Sequence, residues 1–454
     1  MNTAKTSFFS LKMIHFSFFL LFLFACPQNP SGKPAQLKPA IADSVRVTTG
    51  AEVLISKRLD LLKGKSVAII ANPTSLVFNG THLVDTLFNS GIQVKKIFAP
   101  EHGFRGDVGA GEKVKNGIDS KTGIPLVSLY GNSKKPTPEM LADIDIIIFD
   151  IQDVGTRFYT YISTMSLAME ACAEQGKKII ILDRPNPNGW YVDGPVLEPA
   201  FSSFVGMHAV PIVHGMTVGE YAQMVNREGW LPGKKQCDLV VVPCENYSHK
   251  MKWNETGLEW IAPSPNLATE YAAFLYPILC WYEGMPVSVG RGTDYAFQLV
   301  GAPWHNGFKD EWLRDSINKA TRPFRLTLRG MELETVRFTP RDMPGKAVDP
   351  LFENQMCYGL KFLNRAEGKE LFLAGLDLLL NFYKESQSQK LKESIFNSFF
   401  EKLAGSDLLR KQVTGGMSAE EIYESWQGKV TIFKSIRGKY LLYGEGDSEF
   451  RIKN

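Results

Sequence analysis

The sequence carries almost no net charge: 51 lysines and arginines stand against 48 aspartates and glutamates, leaving +3 over 454 residues. Such a balance gives no whole-chain electrostatic footprint for nucleic acid, and none is expected as a partner. Cysteine is scarce, with six residues and neither a CxxC nor an HExxH pattern. That excludes a disulfide scaffold and gives no support to a structural zinc site. Phosphate cradles are missing as well. There is no GxGxxG, no GxxxxGK[ST] and no GxSxG, and the run Gly106 to Gly111 does not open a helix directly after a strand. Dinucleotide binding, nucleotide hydrolysis and nucleophile-elbow chemistry therefore lack their motifs, and no cofactor or metal is expected. Apolar runs long enough to meet a membrane are confined to the extreme N-terminus.

What is present is an ordinary folding composition, 44% hydrophobic with 39 glycines and 25 prolines. A chain of this length predicts two or more domains, most simply two. Residues 1–12 hold Lys5 and Lys12 without an acid, and 13–25 (MIHFSFFLLFLFA) form a run too short to span a bilayer comfortably. The ending Leu23-Phe24-Ala25-Cys26 resembles a bacterial lipobox, which implies cleavage before Cys26 and acylation of its thiol. Residues 1–25 are thus read as a lipoprotein signal peptide. Residues 26–50, rich in Pro, Ser, Gly and Lys, are read as the linker from lipid to domain. The membrane is then a partner through this anchor, and the expected location is the envelope, facing the periplasm.

Six β-rich runs follow: 66–71 (SVAIIA), 94–99 (VKKIFA), 125–130 (PLVSLY), 145–150 (DIIIFD), 177–183 (KKIIILD) and 238–243 (DLVVVP). Most are continuously apolar, as strands covered on both faces are. Amphipathic stretches between them, 81–91, 158–176 and 218–229, carry glycine stops or a threonine start. This predicts an α/β fold, a Rossmann-like doubly wound sheet over 51–255, followed by a smaller α+β domain over 256–454 that closes the cleft.

In such sheets ligands bind beyond the carboxyl ends of the strands, and the unusual polar residues cluster there. One such loop holds Glu101, His102 and Arg105, a second holds Asp150, Asp153 and Arg157, and a third holds Asp183, Arg184 and Asn186. A further carboxylate, Glu283, ends an apolar segment in the second half. Glycoside hydrolysis needs two carboxyl groups in different settings, one to protonate the leaving oxygen and one to assist attack or stabilise the cation. Glu101 is the leading candidate for the acid, with Glu283 as its partner. His102, His214, Asp150 and Asp153 are candidate contacts, each with a structural alternative.

The segments PEHGFRGDVGAGE (100–112), DIQDVGTRFYTY (150–161), LDRPNPNGWYVDGPVL (182–197), VHGMTVGEYA (213–222), PSPNLAT (263–269) and EGMPVSVGRGTD (283–294) resemble the bacterial exo-β-N-acetylmuramidases. The resemblance runs from about residue 50 to the C-terminus. It implies release of terminal N-acetylmuramic acid from the non-reducing end of peptidoglycan fragments, in a cleft between a Rossmann-like domain and a smaller one. The partners are then peptidoglycan-derived muramyl saccharides. Their lactyl carboxylate calls for cations, with Arg105, Arg157, Arg184 and Arg291 as candidates. Asn186 and Asn266 suit hydroxyls or the acetamido group, and Trp190, Tyr159 and Tyr295 suit stacking. Two other readings stay open at this point. One is a metal-dependent hydrolase built on Glu101, His102, Asp150, Asp153, Asp183 and His214. The other is a non-catalytic glycan-binding lipoprotein.

Overall fold

Each of the six apolar runs forms a strand in the computed structural model, which describes residues 46–78, 80–106, 114–131, 133–310, 324–391 and 394–444. The signal segment, Cys26 and the linker as far as residue 45 lie outside the described residues, as do residues 107–113, which include the end of the first motif. Strands β1 (Ser66–Ala71), β4 (Gln93–Ala99), β6 (Pro125–Ser128), β7 (Ile146–Asp150), β8 (Lys178–Leu182) and β9 (Asp238–Val242) run parallel. A two-residue strand, β5 (Gly117–Ile118), pairs antiparallel at the edge. The order is β5-β6-β4-β1-β7-β8-β9. The chain thus builds outward from β1 on one side and then on the other. A minimal hairpin of β2 (Leu76–Val77) and β3 (Thr81–His82) follows β1.

The apolar runs are continuous because successive side chains enter opposite cores. Ile69, Ile148 and Ile180 pack into one, and Ile70, Phe149 and Ile181 into the other. Helices flank the sheet where sequence signals place them. Helix Val218–Arg227 begins at a capping box of Thr217 and Glu220, and helix Tyr161–Gln175 stops at Gly176, whose φ of 62° suits a residue without a Cβ.

The second half carries an antiparallel sheet of β10 (Leu299–Ala302), β11 (Arg325–Leu328), β12 (Met331–Phe338) and β13 (Cys357–Phe362), ordered β10-β13-β12-β11. Two long helices, Lys369–Ser388 and Ala419–Arg437, follow it and pack against each other. One continuous core links the halves. The last helix is tied back to the first half by Tyr423 and Trp426, which both donate to Asp193, and by Arg437, which donates to the Gly215 carbonyl. The five cysteines from Cys172 onward are buried and free. Among the described residues, no helix is long and apolar enough to cross a membrane.

Candidate active site

The turn after β4 sets the first carboxylate. Gly103 N–H closes it onto the Pro100 carbonyl at 3.1 Å, and His102 takes φ 70° at the position where glycine is usual. A non-glycine residue there is held in a costly conformation, a feature that concentrates at functional sites. The turn projects Glu101 beside the N-terminus of helix Tyr161–Gln175, where a negative charge is favoured. Thr160, the N-cap, makes no side-chain bond to its own helix; its hydroxyl donates instead to Glu101 Oε2 at 2.7 Å. Tyr130, just past β6, donates to Oε1 at 2.8 Å. Both carboxyl oxygens are therefore fixed by neutral hydroxyls.

The second carboxylate comes from the other half. Glu283 lies in the short helix Cys280–Gly284 and accepts from Arg291 Nε. The Arg291 guanidinium also sits 5.0 Å from the centre of the Phe297 ring. Glu101 and Glu283 line one cavity of about 500 Å³. Phe158, Tyr159, Tyr276 and Phe297 wall it, meeting edge to face. Its mouth carries Phe204, Phe399, Lys134 and Lys402. The arrangement can grip a sugar-sized ligand on aromatic faces and present two carboxyl groups to it.

Of the residues expected from the sequence, Glu101, His102, Glu283, Arg291 and Tyr159 meet in this cavity. The others are placed elsewhere, with identifiable partners. Arg105 is gripped by two buried carboxylates, Asp119 and Asp85, at 2.8 and 2.9 Å. Arg157 is fully buried and donates to the carbonyls of Pro195, Val210 and Leu403; burial lowers its pKa to about 9. Asp150 forms a two-pronged ion pair with Arg184, at 2.6 and 2.9 Å. Asn186 donates to the Met216 carbonyl and accepts from Asn188 N–H. His214 accepts from Met216 N–H, and burial lowers its pKa to about 3. Asn266 donates to the Lys346 carbonyl. Asp153 is buried and accepts from Gly155 N–H at 2.7 Å; desolvation raises its pKa to about 7. Trp190 lies tilted against Tyr191 beneath the Lys252 ammonium, and Tyr295 is exposed under Lys361.

Arg105, Arg157, Arg184, Asp150, Asp153, Asn186, His214 and Asn266 thus do not line this cavity, and each has the structural partner given above. They tie the strand-end loops together, because buried loop carbonyls and N–H groups need partners. Among the described residues, no three His, Cys, Asp or Glu side chains converge as ligands, and Asp150 and His214 are already engaged. Sequence reasoning missed Tyr130, Thr160, Lys134, Lys402, Phe204, Phe399, Tyr276 and Phe297.

Two family models match the chain. The N-terminal domain of the exo-β-N-acetylmuramidase NamZ matches residues 67–271, and its C-terminal domain matches 274–443. The chain is 38% identical over 412 residues to the peptidoglycan β-N-acetylmuramidase NamZ of Bacillus subtilis, covering 89% of this chain and 94% of that one. It is also similar to two crystal structures of DUF1343 family proteins from Bacteroides fragilis. The first is 42% identical with a TM-score of 0.73, over 88% of this chain and 99% of that one. The second is 33% identical with a TM-score of 0.74, over 88% and 100%. By both halves and over nearly its whole described length, the chain belongs to the exo-β-N-acetylmuramidase NamZ family.

Proposed function

We propose that the protein is an exo-β-N-acetylmuramidase that releases N-acetylmuramic acid from the non-reducing end of peptidoglycan fragments, with Glu101 as the general acid. The observation that carries this assignment is the contrast between the two cavity carboxylates. Protonating Glu283 would break its ion pair with Arg291. Among the described residues, Glu101 is held only by the hydroxyls of Tyr130 and Thr160, so it can gain and lose a proton without losing an ionic partner there. In this reading Glu101 gives its proton to the glycosidic oxygen as the bond breaks. Glu283 faces the positive charge that develops on the sugar ring, and Arg291 fixes its orientation. Phe297 and the neighbouring rings seat the sugar, and a water molecule adds its oxygen to the anomeric carbon and releases the proton that restores Glu101.

The test compares Glu101→Gln and Glu283→Gln on a natural disaccharide and on an aryl β-N-acetylmuramide. A general acid supplies roughly 10²–10⁴-fold. Glu101→Gln loses most activity on the disaccharide and much less on the aryl glycoside, whose phenolate leaves with little protonation. Near-normal disaccharide cleavage by Glu101→Gln rules it out as the acid. A leaving-group-dependent defect in Glu283→Gln alone would exchange the two roles.

The lipobox at Leu23 to Cys26 further supports attachment of the protein to an envelope membrane through Cys26, where cell-wall fragments are at hand. Two acyl chains hold a protein stably where one is marginal.

A further inference from the structure

Two cations in the cavity have no role in the account above. Lys134 reaches it from the loop after β6, and Lys402 from helix Ser398–Ala404 of the second half. Lys134 is half-buried and Lys402 exposed at the mouth. Neither ammonium pairs with a carboxylate among the described residues. Arg291 in the same cavity is paired with Glu283, and Arg105 and Arg184 are paired elsewhere. The two cavity carboxylates that might have neutralised the lysines are taken, Glu101 by hydroxyls and Glu283 by Arg291.

Lys134 is nonetheless held in place. Its Nζ lies 4.3 Å from the centre of the Phe204 ring, which is itself part of the cavity mouth. A ring face attracts an ammonium through its quadrupole and leaves the full positive charge uncancelled. A carboxylate partner would have removed that charge. The cavity therefore keeps an oriented, unneutralised cation within a wall of aromatic rings, open to an anionic group on the ligand.

We propose that Lys134, clamped by Phe204 and assisted by Lys402, is the recognition site for the ligand's carboxylate, and so distinguishes an N-acetylmuramic acid end from an N-acetylglucosamine end. This rests on the muramidase reading above, in which the one carboxylate of a peptide-free terminal sugar is on its 3-O-lactyl group. Of the four arginines that the sequence suggested for this task, Arg105, Arg157 and Arg184 are turned to structural partners outside the cavity and Arg291 is paired with Glu283 inside it, whereas the two lysines have no carboxylate partner among the described residues.

The test uses two chromogenic substrates, an aryl β-N-acetylmuramide as the free acid and its lactyl carboxamide, alike in shape and differing in charge. The wild-type protein cleaves the acid with a kcat/KM higher by roughly 10–150-fold, the range for one charge-assisted hydrogen bond. In Lys134→Met/Lys402→Met that ratio falls towards one, chiefly through the KM for the acid. Lys134→Arg, which keeps the charge, retains a preference for the acid. Cleavage of the carboxamide and the thermal melt report that the double variant is folded. Equal kcat/KM for the two substrates in the wild type, or an unchanged ratio in the double variant, overturns the proposal while leaving the muramidase reading intact. A wild-type protein that cleaves neither substrate defeats that reading, and this inference with it.

Discussion

Replacing Asp153 by Asn should make the protein more stable, and only above a defined pH. Asp153 is 5% exposed. One carboxyl oxygen accepts from Gly155 N–H, and the other, Oδ2, has no hydrogen-bond partner among the described residues. Desolvation therefore raises its pKa to about 7, against about 3.9 for an unfolded chain. Below about pH 4 the group is neutral in both states and contributes nothing to the pH dependence. From there to about pH 7 the unfolded chain releases the proton and the native protein keeps it, so stability falls by about 1.4 kcal/mol per unit. Over some three units the loss is about 4 kcal/mol, and it persists at higher pH. Asparagine keeps the acceptor for Gly155 and does not ionise. With an unfolding entropy of about 2.1 cal/mol/K per residue over about 400 residues, 4 kcal/mol corresponds to about 5 °C in Tm. Melts of the wild type and Asp153→Asn from pH 4 to pH 8.5 should start close together and diverge through this window, the variant being the more stable at high pH. A Tm difference that does not change with pH, or a variant that loses stability as pH rises, refutes the reasoning.

Other expectations follow from the same contacts. Tyr130→Phe removes one of the two hydroxyls that orient Glu101; it should lower kcat roughly 2–10-fold, the effect of one ordinary hydrogen bond, with an unchanged melt. Arg157→Met leaves three buried carbonyls without their donor and should destabilise by several times the ~1–3 kcal/mol cost of one unpaired group, seen as a large drop in Tm or in soluble yield. An Arg157→Met protein with a normal melt and a raised KM would restore Arg157 to the binding site. Cys26→Ser should release the protein from membranes or leave its signal segment uncleaved, as detergent partitioning and mass would show; a mature, membrane-bound variant contradicts the anchor.

The parallel sheet was legible because its strands are buried on both faces, which leaves them continuously apolar, and because Gly176 and the Thr217–Glu220 capping box mark helix ends locally. The site was legible in part. Glu101 and His102 announce themselves by an unusual loop composition, and Glu283 and Arg291 by polar residues set in an apolar and glycine-rich stretch. The rest was hidden by pairing across the sequence. Nothing near Arg105 shows that Asp85 and Asp119 fold onto it, or that Arg184 closes on Asp150 from 34 residues away. A polar residue beyond a strand end serves the ligand or the loop, and only the three-dimensional partners decide which. Lys402 and Phe399 lie on a short amphipathic helix some 300 residues from Glu101, with no motif around them. Lys134 acquires meaning only through Phe204, a neighbour that the fold supplies.

Product analysis on a defined glycan decides whether the protein removes N-acetylmuramic acid from the chain end. The substrate is a peptidoglycan oligosaccharide with N-acetylmuramic acid at its non-reducing end and a label at its reducing end. Chromatography with mass detection follows the earliest products. The expected products are free N-acetylmuramic acid and a labelled chain shorter by one sugar, with no internal fragments, and both are lost in Glu101→Gln. Early release of internal fragments, or removal of N-acetylglucosamine from chains that end in that sugar, would contradict the exo-muramidase reading.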